Sequence, residues 1–448
     1  MGWDDISSMG NPQTAINEIK RMNKTIRNKI YRYLQLIIHN SQLIIVNVLI
    51  FVLCSSAFSQ RVRIGAEILL EKHLDLLKDK RIGVICNHTS VLPNGVRLVD
   101  TLLSRGIKIT VLFSPEHGIR GKIPAGVAVE EMIDQKTGLS EYSLYGEARK
   151  PTIEMLQNVD VLIFDMQDVG ARFYTYISTM GYCMMAAGEN GKKFIVLDRP
   201  NPINGIDIEG PPLDLELRSF IGLYPIPVRY GMTIGELAKM IIGEGFVNLS
   251  TADITVIPME GWKRSMWYDE TGLPWISPSP NMKTLVTAAV YPGTCIFEAT
   301  NITEGRGTEK PFEYIGIPGL NSKIVSSKLN DLKLPGVKFL PIEFTPRGDS
   351  ITALNPKFKD KKCRGIHVKI TERKNFKPVL TGVMMLATIK QLYPKKIQIK
   401  DGLFDRLMGD EQVRLKLEKG VVDKDIFSIY KNSIQTFEQI RSKYLLYC

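Results

Sequence analysis

Apolar positions along the chain come in short dense runs separated by polar clusters. Arg81 to Cys86 reads RIGVIC, Ile109 to Ser114 ITVLFS, Asp160 to Met166 DVLIFDM and Lys193 to Leu197 KFIVL. Runs of β-branched and large apolar residues suit strands buried on both faces of a parallel sheet. Between them, Ile68, Leu69, Leu74 and Leu77 recur at helical spacing within Gly65 to Lys78. Leu98 to Arg105 predicts a short helix closed by Gly106, and Thr175 to Gly188 a longer one. Strands alternating with helices predict an α/β protein built on a parallel sheet.

The polar residues gather where these strands end. Asn87/His88, Glu116/His117, Gln167/Asp168 and Asp198/Arg199 follow the runs in turn. Ligands of open α/β sheets bind outside the carboxyl ends of the strands. One such cluster is commonplace; several on one edge describe a site lined with hydrogen-bonding groups. The sharpest change lies in ITVLFSPEHGIR, where Pro115 stops the strand and Gly118 lets the chain turn, leaving Glu116 and His117 at its end. His88 fits either a ligand contact or a cap. His73 on its helix reads as structural, and Thr233 with Glu236 forms a capping box, which makes Glu236 structural too. Pro124 to Gly146 is a Gly-rich polar loop, and loops of that length are usually functional.

A chain of 448 residues exceeds one ordinary core, so two domains are expected behind a leader: 1–59 leader, 60–250 sheet domain and 251–448 a smaller α/β domain. The second domain is predicted to begin around Asn248–Asp253, ahead of a strand over Ile254–Met259. Later strands are expected at Val337–Phe344 and Gly365–Thr371, with mostly helix from Thr381 onward. Trp262, Trp267, Tyr268 and Trp275 cluster in one segment and read either as a packed loop or as a platform for a sugar ring.

Hydrophobic content of 44% and charged content of 23% are those of a globular protein. The net charge is +11; Lys20, Arg21, Lys24, Arg27, Lys29 and Arg32 against Asp4, Asp5 and Glu18 leave +8 on the rest. That balance fits an anionic substrate or an envelope surface. No basic run is interleaved with aromatics, so a nucleic-acid partner is not expected. The leader joins the basic stretch 20–32 to the apolar Leu43–Cys54 and the A-x-A-like Ala57-Phe58-Ser59. It reads as a signal peptide directing export across the inner membrane to the periplasm, with Met22 as an alternative start. Membrane contact is expected only through a retained leader. Leu53 stands where a lipid-attachment motif prefers a small residue before Cys54.

Cys86, Cys183, Cys295, Cys363 and Cys448 lack metal-ligand spacing and read as buried small hydrophobes. No G-x-G-x-x-G follows the first strand and no G-x-x-x-x-G-K-[ST] occurs, so the sheet alone implies no nucleotide. Neither a cofactor nor a metal is expected. The absence of G-x-S-x-G argues against a serine esterase or amidase.

SPEHGIRG, DMQDVGARFYTY, VLDRPNPING, EGPPLD, PIPVRYGMTIGELA, SPSPNM and TEGRGTEKPFE follow one another along the chain. Together they resemble the exo-β-N-acetylmuramidase family of glycoside hydrolases, formerly a family of unknown function, from about residue 64 to the C-terminus. The resemblance implies a Rossmann-like sheet domain, a smaller α/β domain and an active cleft between them. It also implies release of N-acetylmuramic acid from the non-reducing ends of peptidoglycan-derived saccharides, with Glu116 of the PEHG motif catalytic.

Glycoside hydrolysis ordinarily needs two carboxyl groups, one acting as general acid. Glu116 suits the acid. Asp168, Asp198 and Glu304 are available as the second, with Asp168 and Glu304 preferred; His117 is an alternative proton shuttle. The lactyl carboxylate of N-acetylmuramic acid calls for a guanidinium, from Arg306, Arg172 or Arg229. Asn87, His88, Gln167, Asp198, Arg199 and Asn281 complete the expected substrate contacts. The rival reading is a non-catalytic muropeptide-binding protein using the same cleft.

Overall fold

The computed structural model describes residues 17, 20–36, 61–116, 118–121, 132–146, 148–247, 254–421 and 423–448. It comprises two units, 1–60 and 61–448. In the first, residues 20–36 form an exposed helix. The expected apolar core Leu43–Cys54 and the cleavage motif at Ala57–Ser59 lie outside the described residues. Among the described residues no helix is long and apolar enough to cross a membrane.

The second unit carries the strands. They are β1 (Ile82–Cys86), β2 (Ile109–Ser114), β3 (Met132–Ile133), β4 (Ser140–Ser143), β5 (Val161–Asp165) and β6 (Lys193–Leu197). After these come β7 (Glu209–Pro212), β8 (Pro227–Arg229), β9 (Ile254–Ile257), β10 (Tyr314–Ile317), β11 (Val337–Phe344) and β12 (Cys363–Ile370). The main sheet has seven strands in the order β3-β4-β2-β1-β5-β6-β9, parallel except for β3. β10, β12 and β11 form a small antiparallel sheet.

Every residue of β1 and β5 is buried. Side chains alternate between faces: Ile82, Val84, Val161 and Ile163 pack with Ile68, Leu69, Leu98 and Leu102 on one side. Ile85, Leu162 and Phe164 pack with Met180, Cys183 and Leu237 on the other. The helices Gly65–Lys72 and Leu98–Ser104 thus cover one face, and Tyr176–Glu189 and Ile234–Gly243 the opposite face. This is the α/β sandwich that the apolar runs predict.

Two elements differ from expectation. β9, expected to open the second domain, pairs in parallel with β6 and closes the main sheet. The capped helix Ile234–Gly243 makes the crossover that returns the chain to that edge; the expected boundary at 248–253 lies outside the described residues. The expected loop at Pro124–Gly146 contains β3 and β4, with β4 adding to β2 in parallel. Its sequence, SEYS, is short and polar because it sits near the sheet edge.

Two helices of the C-terminal half pack in close contact. Leu285–Thr294 crosses Pro378–Leu392 so closely that a Cβ on Gly382 would lie 2.0 Å from the Gly293 carbonyl oxygen. The tryptophan-rich segment is a packed loop: Trp262 stands edge-on to Tyr447, Trp275 edge-on to Tyr268, and Trp267 lies under the guanidinium groups of Arg229 and Arg373. Cys86, Cys183, Cys295 and Cys363 are buried free thiols, while Cys448 is exposed.

Candidate active site

Beyond the carboxyl ends of β2, β4 and β5 lies a cavity of about 180 Å³. The sheet half supplies Glu116, Tyr145 and the segment 173–176; the C-terminal half supplies Tyr291, Glu298, Arg306 and Phe312. Pro115 ends β2 and Gly118 turns at φ 70°, which leaves Glu116 at the rim, partly exposed.

The Tyr145 phenol lies beside the Glu116 carboxylate in the cavity wall. Burial, and then the neighbouring Glu116 charge, hold the Tyr145 phenol well above its usual pKa, and Glu298 adds to the push. Burial likewise raises the Tyr176 phenol, whose surroundings include Tyr174, Glu116, Asn87 and Asp168. Tyr176 itself donates to the Pro278 carbonyl at 2.6 Å. The aromatic wall is locked edge to face, with Tyr291 against both Phe173 and Phe312.

Charges on the opposite wall form a chain. Arg306 Nη2 meets Glu298 Oε1 at 2.6 Å and Arg306 Nε meets Glu304 Oε1 at 3.4 Å. Lys357 Nζ reaches Glu304 Oε2 at 3.0 Å and the carbonyl oxygens of Phe297 at 2.7 Å and Ile302 at 3.0 Å. Arg306 also lies over the Phe312 ring, 5.1 Å from its centroid. Burial opposes its charge, yet the Glu298 and Glu304 carboxylates prevail and hold the guanidinium above its ordinary pKa.

Of the residues singled out from the sequence, Glu116, Asn281 and Arg306 line the cavity. His117 lies outside the described residues. Glu304 is 3% exposed and stands behind Arg306, held by two cations. Asp168 is buried; its Oδ2 accepts from the Gly170 N–H at 2.6 Å and from the Tyr230 hydroxyl. Burial pushes its carboxyl up to about 6, against those two hydrogen bonds. Gln167 donates to the Pro200 carbonyl at 2.8 Å, and Asn87 Oδ1 accepts from Thr89. His88 Nε2 contacts the Ser277 carbonyl at 2.6 Å, tying the end of β1 to the loop that carries Asn281.

Four expected substrate contacts have structural roles instead. Arg172 has no exposed surface and donates to the carbonyls of Pro211, Ile226 and Leu407 at 2.9, 2.8 and 2.9 Å. Arg229, equally buried, pairs with Asp207 at 3.0 Å and with the Ile203 carbonyl. Asp198 accepts from Thr233 Oγ1, the Gly235 N–H and the Tyr447 hydroxyl at 2.7, 2.8 and 2.5 Å. Arg199 pairs with Asp165. In each case backbone groups or a strand-end carboxylate need the side chain, and the cavity does not reach it. Asp198 is also thereby unsuited to act as the second carboxylate. The sequence reading missed Glu298 and Tyr145. Glu298 hides in the apolar run CIFEA, and Tyr145 follows the strand that went unrecognised.

Comparison with known proteins agrees with this architecture. The family described as exo-β-N-acetylmuramidase NamZ, N-terminal, matches residues 82–286, and its C-terminal counterpart matches residues 289–447. The peptidoglycan β-N-acetylmuramidase NamZ of Bacillus subtilis (strain 168) is 48% identical over 394 residues, covering 88% of this chain and 93% of that one. Crystal structures of two DUF1343 family proteins from Bacteroides fragilis are similar at TM-scores of 0.79 and 0.70, with 35% and 33% identity. Each covers 87% of this chain and 99% of its own. Two family matches spanning the folded unit, with a close relative over nearly its whole length, mean that the chain belongs to the exo-β-N-acetylmuramidase NamZ family.

Proposed function

We propose that the chain releases N-acetylmuramic acid from the non-reducing ends of peptidoglycan fragments, with Glu116 as the proton donor to the glycosidic oxygen. Family membership makes it a glycosidase. The observation that carries the assignment of Glu116 is its position: a carboxyl at the end of β2, opening into an aromatic-walled cavity beside Tyr145. A proton donor must reach the leaving oxygen while its own orientation is fixed. The aromatic wall offers apolar faces to a sugar ring. Arg306 is the cation among the described lining residues and suits the lactyl carboxylate.

Hydrolysis of a chromogenic N-acetylmuramic acid glycoside tests this. Glu116→Gln keeps the shape and removes the acid, so turnover is expected to fall by about 10²–10⁴-fold. A folded variant with more than about a tenth of wild-type turnover would remove Glu116 from the role. Saturable binding without any turnover by the wild type would favour the muropeptide-binding reading.

The same proposal places the mature chain outside the inner membrane. The basic stretch 20–32, the apolar Leu43–Cys54 and Ala57-Phe58-Ser59 support cleavage near Ser59. N-terminal sequencing of the exported protein decides it, an intact leader in the membrane fraction being the contrary result.

A further inference from the structure

Proton donation by Glu116 is half of the reaction; the other half is attack at the anomeric carbon, which ordinarily calls for a second carboxylate. None of the candidates that the sequence offers is among the described residues lining the cavity. Both Glu304 oxygens are taken, one by Arg306 and one by Lys357, and the residue is 3% exposed. Asp168 and Asp198 are buried and accept bonds from the Tyr230 and Tyr447 hydroxyls and from the backbone N–H groups of Gly170 and Gly235.

We infer that Glu298 is the second catalytic carboxylate, serving the face of the sugar opposite Glu116. The inference rests on the glycosidase reading above and adds a residue to it. Among the described lining residues, Glu116 and Glu298 are the carboxylates. They come from the two halves of the chain, Glu116 from the end of β2 and Glu298 from the 3₁₀ turn Cys295–Ala299. The Tyr145 phenol feels both charges, so they converge on one small volume. Glu298 is also held firmly. Arg306 Nη2 donates to its Oε1 at 2.6 Å, and Lys357 Nζ binds the carbonyls of Phe297 at 2.7 Å and of Glu298 itself at 3.3 Å. A group fixed in this way loses little freedom on reaching the reactive geometry.

The step balances without a cofactor. Glu116 gives its proton to the glycosidic oxygen, the bond from the anomeric carbon to that oxygen breaks, and the electron pair leaves with the oxygen. A water oxygen bonds to the anomeric carbon as Glu298 takes the water's proton, which solvent returns to Glu116. If Glu298 bonds to the carbon first, water then cleaves that ester with Glu116 as base, and the net reaction is the same. Either route requires the carboxylate of Glu298 on the attacking face.

The test uses the full chain and a nitrophenyl glycoside of N-acetylmuramic acid, with thermal unfolding as the check on folding. Glu298→Gln, which keeps an oxygen for Arg306, is expected to lower kcat by about a hundredfold or more with KM changed only a few-fold. Glu298→Ala is expected to lose as much and to regain about tenfold or more in azide, which enters the vacated space and yields the α-glycosyl azide. A folded Glu298→Gln protein with more than about a tenth of wild-type kcat overturns the inference. So does a folded Glu298→Ala protein that azide leaves inactive; if that variant fails to fold, Glu298→Gln decides alone. Wild type and Glu116→Gln run beside them. An inactive wild type defeats the glycosidase reading itself, whereas an active wild type, a silent Glu116→Gln and an active Glu298→Gln defeat only the role of Glu298.

Discussion

Arg199 donates from Nε to Asp165 Oδ1 at 2.6 Å and from Nη2 to Oδ2 at 3.0 Å, and neither side chain is exposed beyond 6%. The pair ties the end of β5 to the loop after β6, beneath the edge where the cavity opens. Both partners are out of water, so the attraction is weakly screened and each charge depends on the other.

Arg199→Met and Asp165→Asn are therefore each expected to cost about 3–5 kcal/mol of folding stability, because each strands one buried charge. The double variant should lose less than the sum of the two, since it strands neither. Chemical denaturation of the three proteins checks this. Additive losses, or single losses below about 1 kcal/mol, would mean that the pair is not coupled as the geometry requires.

Asp168 links stability to pH. Its carboxyl titrates near 6 in the fold, because burial outweighs the bonds from Tyr230 and Gly170, against 3.8 for the free group. A raised pKa means that the folded state holds the proton more tightly than the unfolded chain does. The contribution is complete below about pH 4, falls as pH rises from there through 6, and is flat above. Asp168→Asn cannot ionise, so its stability relative to wild type should rise across that window by about 2–3 kcal/mol. Denaturation midpoints of both proteins from pH 4 to 7 give the answer; parallel curves would show that Asp168 does not titrate there.

How far these sites are legible in the sequence depends on what each residue competes with. β1, β2, β5 and β6 can be read directly, because a strand covered on both faces has no reason to carry polar residues. β4 cannot, since a short strand near the edge keeps Ser140 and Ser143 half-exposed and resembles a loop. Strand ends gather polar residues for two reasons, to face a ligand and to tie neighbouring loops, and sequence alone does not separate them. Glu116 opens into the cavity, as the first requires; Asp198, with its bonds to Thr233, Gly235 and Tyr447, does the second. The bond between Asp198 and Tyr447 spans most of the chain, a contact that no local pattern announces. Glu298 is hidden for the converse reason: its neighbours Ile296, Phe297 and Ala299 are buried, so the segment reads as core.

Tyr145 gives a kinetic prediction. Its phenol lies beside the carboxylate of Glu116 in the cavity wall, and a hydrogen bond to a charged group is worth about 1.5–3 kcal/mol. Tyr145→Phe keeps the ring and removes the donor. If the bond fixes Glu116 for proton transfer, kcat should fall by about 10- to 100-fold with KM nearly unchanged. A rise in KM at constant kcat would make Tyr145 a substrate contact instead.

Arg306 is expected to decide the choice of sugar. N-acetylmuramic acid differs from N-acetylglucosamine by one lactyl ether with a carboxylate, so discrimination must come from a group that needs the charge. Arg172 and Arg229 are excluded, because their guanidinium groups serve backbone carbonyls in the interior. Arg306 lines the cavity, and its closest contacts with Glu298 and Glu304 run through Nη2 and Nε, so Nη1 takes no part in them. A single substitution carries two effects, however, since it also frees Glu298. The two separate by substrate. Loss of lactate pairing raises KM for the muramic glycoside alone, whereas a displaced Glu298 lowers kcat for any sugar the site cleaves. Arg306→Met is thus expected to raise KM for the muramic glycoside by about 10- to 100-fold, the worth of a charged hydrogen bond. Any fall in kcat should be shared with the glucosamine glycoside. Arg306→Lys keeps a cation without the planar fork and should fall between Arg306→Met and wild type in KM. Equal changes in KM for both sugars in Arg306→Met would assign the arginine wholly to holding Glu298, and the lactyl carboxylate would then have no cation among the described lining residues.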